Sequence, residues 1–144
     1  MATSAARRPS PEHRVLVLVG FNGSPRGERA LAYAAGHAAR TGAELLLLAA
    51  DEDPALWPTH ARQRDQRLRT LVGRAEAALA GLDVNWRMRI SGAAPSAALR
   101  ESAREYRADL IVVGASTTRW RRLLSRQVGA TLARDAPAPL LVVP

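Results

Sequence analysis

Apolar residues fall into two alternating patterns along the chain, short unbroken runs and stretches with a helical spacing of 3.6. The run RVLVLVG, residues 14–20, is followed by the turn residues Asn22, Gly23, Ser24 and Pro25 and reads as a strand buried on both faces. Ser24 then caps a helix with Pro25 at its first position, where the missing N–H costs nothing. Leu31, Ala34, Ala35 and Ala38 line one face of that helix until Thr41-Gly42 stops it. AELLLLAA, residues 43–50, is a second strand. A polar loop from Asp51 to Thr59, broken by Pro54 and Pro58, leads to a helix expected to bury Leu68, Leu71, Val72, Ala75 and Leu79 before Gly81.

In DVNWRMRI, residues 83–90, Val84, Trp86, Met88 and Ile90 alternate with Asn85, Arg87 and Arg89, which predicts an edge strand with one wet face. A loop through Gly92 and Pro95 opens a helix with Ala98, Leu99, Ser102, Ala103 and Tyr106 on one side, and DLIVVG, residues 109–114, is a fourth, fully buried strand. After another polar loop, Leu124, Val128, Thr131 and Leu132 mark a last helix that breaks at Ala136-Pro137, and LLVV, Leu140 to Val143, closes the chain. The register is β-α-β-α-β-α-β-α-β. Short parallel strands require helical crossovers of one hand, so an α/β fold is predicted: a single open, mostly parallel five-stranded sheet with helices on both faces. Ligands of such sheets bind beyond the strands' C-terminal ends, where strand order reverses. That directs attention to the loops Phe21 to Ser24 and Ala115 to Gln127.

Composition narrows the classes. At 144 residues, 47% hydrophobic and 24% charged, the chain fits one domain, placed at residues 13–144 after a tail at 1–12 read as disordered. Arg7 and Arg8 are followed by Pro9, Pro11, Glu12 and His13 where a signal peptide would carry its apolar stretch. No apolar run approaches the roughly 18 to 20 residues of a membrane helix, so no membrane association is expected. Cysteine is absent, which removes disulfides, thiolate nucleophiles and Cys-type metal sites and makes a reducing cytoplasm the expected location. The net charge of +8 raises anionic partners. Every basic residue is arginine, however, and aromatics at 4% are too few for stacking platforms, so nucleic acid is not the expected partner.

Several segments together resemble the universal stress protein family. VGFNGSPRGERAL stands where that family has a strand running into a Val-Asp-x-Ser turn. Ala50 fills the position at the end of the second strand that turns toward adenine. SGAAPSAAL, residues 91–99, loosely matches Gly-x-Pro, Asp109 to Gly114 match Asp-Leu-Ile-Val-Val-Gly letter for letter, and RDAPAPLLVV resembles the family's C-terminal end. The resemblance implies a Rossmann-like sheet of the adenine nucleotide alpha hydrolase type, in the order 3-2-1-4-5. The family's nucleotide-binding branch carries Gly-x-x-Gly and, further along the same loop, Gly-Ser or Gly-Thr. Gly114 matches the first glycine. Thr117 stands for the second, and Arg126 and Gln127 for the final pair, followed by Val128, after a loop one residue short. Asn22 replaces the aspartate that resembles the nucleotide ligand of the first turn. Missing Cβ atoms let backbone N–H groups approach phosphate oxygens, so Arg126 in place of glycine obstructs the usual cradle.

Other candidates are weaker. Arg119, Arg121, Arg122 and Arg126 precede a helix N-terminus, a setting that favours anions, although a solvated loop or pairing with Asp51, Glu52 and Asp53 is the more ordinary explanation. Trp57 and Trp120 flank the same cleft as stacking surfaces or loop covers. His13, His37 and His60 have no second ligand at metal-like spacing, the acidic trio reads as a solvated turn, and no metal site is expected. No nucleophile elbow, P-loop or dinucleotide fingerprint is present.

The expectation is therefore a non-enzymatic, stress-response binding or regulatory protein in which nucleotide binding is weakened or lost, with no required cofactor. The alternative is an adenine-nucleotide protein, for ATP or AMP, whose Arg-rich loop holds the phosphates. Leu140, Leu141, Val142 and Val143 form an apolar edge strand, and proteins that the chain resembles dimerise across it, so a homodimer is expected alongside other protein partners.

Overall fold

The computed structural model describes residues 14–50, 61–93, 95–115 and 137–144. Five strands, β1 (Leu16–Gly20), β2 (Glu44–Ala50), β3 (Trp86–Ser91), β4 (Leu110–Gly114) and β5 (Leu140–Val143), form one sheet in the order β3-β2-β1-β4-β5, every neighbouring pair parallel. Three described helices connect them: α1 (Pro25–Thr41), α2 (Ala61–Leu79) and α3 (Pro95–Glu105). The last predicted helix and the tail lie outside the described residues.

Strands β1 and β4 are apolar throughout, and β2 from Leu45 onward, because the sheet is covered twice. Val17 and Val19 of β1, with Leu45 and Leu47 of β2, enter one core shared with Leu31, Ala34 and Ala38 of α1 and Leu71, Ala75 and Leu79 of α2. Leu16 and Leu18, with Leu46 and Leu48, enter a second core against Ala98, Leu99 and Ala103 of α3. Period-2 alternation assigns neighbours in one strand to opposite faces, which is why no polar position interrupts β1. On α2, Leu68 and Val72 are half-buried rather than buried, a correction to the expected stripe.

Local signals explain the boundaries. Ser24 sits in extended backbone as N-cap and accepts the Gly27 N–H at 3.1 Å, with Pro25 at the first helical position. Gly42, at φ 76°, ends α1 in the left-handed conformation and donates its N–H to the Ala38 carbonyl. β3 forms the predicted edge, with Trp86, Met88 and Ile90 on the first core. Its other face carries Arg87, which is exposed, and Arg89, and both lie over the Tyr106 ring at 5.0 and 5.5 Å. A hydrogen bond to Glu105 holds the Arg89 guanidinium above its ordinary pKa. At the far end of the sheet, the Asp109 carboxylate accepts the Leu16 N–H at 2.9 Å while the Asp109 N–H donates to the Leu16 carbonyl at 2.8 Å. This Asp of the DLIVVG segment therefore stitches β4 to β1.

Candidate functional site

A slot opens beyond the C-terminal ends of β1 and β2, at the N-terminus of α3. Its floor is Gly20, Phe21, Leu48 and Ala50. Its walls are Asn22, Ser24 and Gly27 on one side and Pro95 and Leu99 on the other. Phe21 is buried, and its N–H donates to the Leu48 carbonyl at 2.9 Å, carrying the ladder one residue past β1. The slot is narrow, a cavity of about 20 Å³. Asn22 Oδ1 accepts the Ser24 N–H at 3.1 Å, an Asx turn that aims the chain into α1. Gly27 keeps the turn compact, since a Cβ there would stand 3.2 Å from Ser24 Oγ and 3.3 Å from Asn22 Oδ1.

Gly114 has a different setting. A Cβ on it would stand 2.6 Å from the Arg26 carbonyl carbon and 3.1 Å from the Arg26 Cβ. The missing side chain lets the first turn of α1 rest directly on the end of β4, a helix–strand closeness that glycine alone permits. Arg26 completes the contact by donating from its guanidinium to the Ala115 carbonyl. The junction between β1 and β4, where the sheet's strand order reverses, is thus clasped by α1.

The first turn has a second side. Gly23, at φ 81°, points its carbonyl at Arg74 of α2, whose Nη1 donates to it at 2.7 Å. Glu28 lies 3.8 Å from the same nitrogen. Here an open groove runs between the turn and α2, lined by Asn22, Gly23 and Ser24 and by Arg67, Thr70, Leu71 and Arg74.

Of the residues singled out in the sequence, the structure brings Asn22 and Ala50 together in the slot and leaves Gly114 out of its lining. Thr117, Arg119, Arg121, Arg122, Arg126, Gln127 and Val128 lie outside the described residues, as do Trp57, Trp120, His13, His60 and the Asp51–Asp53 trio. Leu140 to Val143 form the edge strand beside β4 and are half-buried. Among the described residues no three His, Asp or Glu side chains gather as metal ligands, and no helix is long and apolar enough to cross a membrane. Sequence reading missed Arg26, Arg67 and Arg74. Arg74 meets Gly23 across 51 positions of sequence, a contact with no local signal. Pro95 and Leu99 were visible only as helix positions, and the crossover of α3 brings them to the slot.

Comparison with known proteins bears on this architecture directly. No curated protein matches the sequence. The sequence profile of the universal stress protein family matches residues 14–144. A universal stress protein solved in complex with cAMP shares 31% identity over 90% of this chain and 97% of its own, with a TM-score of 0.61. The UspA protein of Lactobacillus plantarum is 23% identical over 90% of this chain and 97% of its own, at a TM-score of 0.63. The Archaeoglobus fulgidus protein in complex with dAMP is 17% identical over 92% and 98%, at 0.66. The two lower identities speak to the fold alone. The profile over nearly the whole described chain, the 31% identity and the 3-2-1-4-5 sheet agree, and the chain belongs to the universal stress protein family.

Proposed function

We propose that this chain is a stress-response regulatory protein that works by binding rather than turnover, with its affinity for ATP reduced. One observation carries the reading. The two pattern positions within the described residues, Asn22 and Gly114, are both occupied by structural duties: Asn22 Oδ1 holds the Ser24 N–H, and the open side of Gly114 is filled by the Arg26 backbone. The Asn22 side chain and the open side of Gly114 are thus committed to the turn and to the α1–β4 contact. Thr117, Arg126 and Gln127 replace the remaining glycine-rich positions in the sequence. Among the described residues the slot holds no nucleophile–base pair. Asn22 and Ser24 are its polar side chains, and the Ser24 hydroxyl already accepts the Gly27 N–H with no base among the slot residues to activate it. The absence of cysteine accords with a cytoplasmic setting.

A second reading is favoured by the slot's apolar lining of Phe21, Leu48, Ala50 and Leu99 together with the cAMP complex of the 31% identical relative. An adenine ring bearing one phosphate asks less of the degenerate loop than a triphosphate, and Arg119, Arg121, Arg122 and Arg126 are the cations available to hold it. Calorimetric titration of nucleotide-freed protein with ATP, ADP, AMP and cAMP tests both. The first reading expects ATP to bind more weakly than about 10 µM, or roughly −7 kcal/mol, and tighter ATP binding overturns it. The second expects cAMP or AMP to bind more tightly than ATP, and the reverse order removes it. For assembly, we propose a homodimer through the half-buried edge strand β5.

A further inference from the structure

We infer that Arg74 is a positioning residue for the slot: reaching in from α2, it fixes the peptide between Gly23 and Ser24 and with it the polar wall formed by Asn22 and Ser24. For ligand binding this rests on the second reading above, in which the slot receives an adenine ring.

The wall is built around one peptide group. Its N–H, on Ser24, donates to Asn22 Oδ1 at 3.1 Å, and its carbonyl, on Gly23, accepts from Arg74 Nη1 at 2.7 Å. The two bonds hold opposite ends of one rigid plane, so together they set its rotation. Glycine makes that rotation easy otherwise, because Gly23, at φ 81°, lacks the Cβ that would bar other orientations. The Asn22 bond spans two residues and moves with the turn. The Arg74 bond spans 51, and it ties the turn to a helix anchored in the core by Leu71 and Ala75.

The surroundings fit this role. Leu71 and Arg74 stand three positions apart on one side of α2, and both meet Gly23: a Cβ there would lie 3.1 Å from Leu71 Cδ2 and 3.5 Å from Arg74 Cδ. The absent side chain lets α2 abut the turn. Glu28 Oε1 lies 3.8 Å from the same Nη1, so a carboxylate of α1 holds the half-exposed guanidinium over the turn. Ser24 passes its orientation onward, since its Oγ accepts the Gly27 N–H at 3.1 Å and its carbonyl accepts the Glu28 N–H at 2.9 Å. Asn22, Ser24 and Gly27 all line the slot. Without Arg74 the peptide is free to turn over, which breaks the Asn22 bond and disorders that wall.

The test compares three variants of the full chain. Arg74→Met keeps a long stem without donors, Arg74→Lys keeps a cation that can reach the carbonyl, and Gln66→Gly weakens α2 at an exposed position outside the groove. Two quantities are read: solvent exchange of the Ser24 amide by NMR, and cAMP affinity by calorimetry. Arg74→Met should speed Ser24 exchange about fivefold and weaken cAMP about fivefold through the lost preorganisation. Arg74→Lys should restore most of both, and Gln66→Gly should leave both at parental values. Unchanged Ser24 exchange in the Met variant, unchanged cAMP affinity beside faster exchange, no recovery with Lys, or equal changes in Gln66→Gly each overturn the assignment. A parent that does not bind cAMP removes the second reading alone, and Ser24 exchange in the Met and Lys variants then decides whether Arg74 positions the turn.

Discussion

Replacing Gly114 by alanine separates a packing role for that residue from a phosphate-cradling one. The added Cβ would stand 2.6 Å from the Arg26 carbonyl carbon, whereas ordinary contact begins at 3.4 Å. The obstacle is helix backbone rather than the end of a flexible side chain, so the first turn of α1 or the end of β4 must move. Overpacking a filled interior costs about 1–3 kcal/mol. The shift also disturbs the Arg26–Ala115 hydrogen bond, a loss of about 1 kcal/mol. Restricting the unfolded chain offsets about 0.4–1 kcal/mol of this. The net expectation is a destabilisation of about 1–3.5 kcal/mol, a large share of the roughly 5–15 kcal/mol typical of a domain. Urea unfolding followed by far-UV circular dichroism reads it as a lower midpoint at unchanged slope. Gly73→Ala is the reference: nothing lies within 4 Å of a Cβ there, on the exposed face of α2, and the helix should gain about 0.5–1 kcal/mol. A Gly114→Ala variant within about 0.5 kcal/mol of the parent, well inside the effects of core overpacking, would refute the clasp. Loss of nucleotide affinity in such a stable variant would return the glycine to the ligand.

Ser24→Ala removes the acceptor of the Gly27 N–H and should cost about 1 kcal/mol in the same unfolding assay, with Ser24→Asp retaining most of the stability. Equal stability of the Ser and Ala forms would mean that Pro25 and the Asx turn suffice to start α1. Light scattering at micromolar concentration should give a mass near twice 15.5 kDa, and Val142→Arg should shift the protein toward monomer. A monomeric parent, or a charged variant that stays dimeric, removes β5 as the interface.

Local patterning is enough to place the described strands and helices in order along the chain. Unbroken apolar runs become doubly covered strands, because a parallel sheet with helices on both faces leaves no wet side, and β5 appears at Leu140–Val143 as its run predicted. Ser24, Pro25 and Gly42 delimited α1 through chemistry that acts within a few residues, so those bounds were readable. The Asn22 turn was readable for the same reason, although its Oδ1 bond to Ser24 gives it a structural duty that resemblance alone did not reveal.

What the tertiary structure decided are the contacts made across the chain. Gly114 looked like a loop glycine, and only the crossing of α1 over β4 puts the Arg26 backbone against it. Asp109 looked like part of a strand motif, and only the β1–β4 pairing gives its carboxylate the Leu16 N–H. Arg74 carries no signal in the sequence, and only the packing of α2 beside α1 brings it to Gly23. Periodicity specifies which face of an element is apolar, and it carries no information about which distant backbone group that face will meet. Those meetings follow from helix placement on the sheet, and the slot and the groove are made of them.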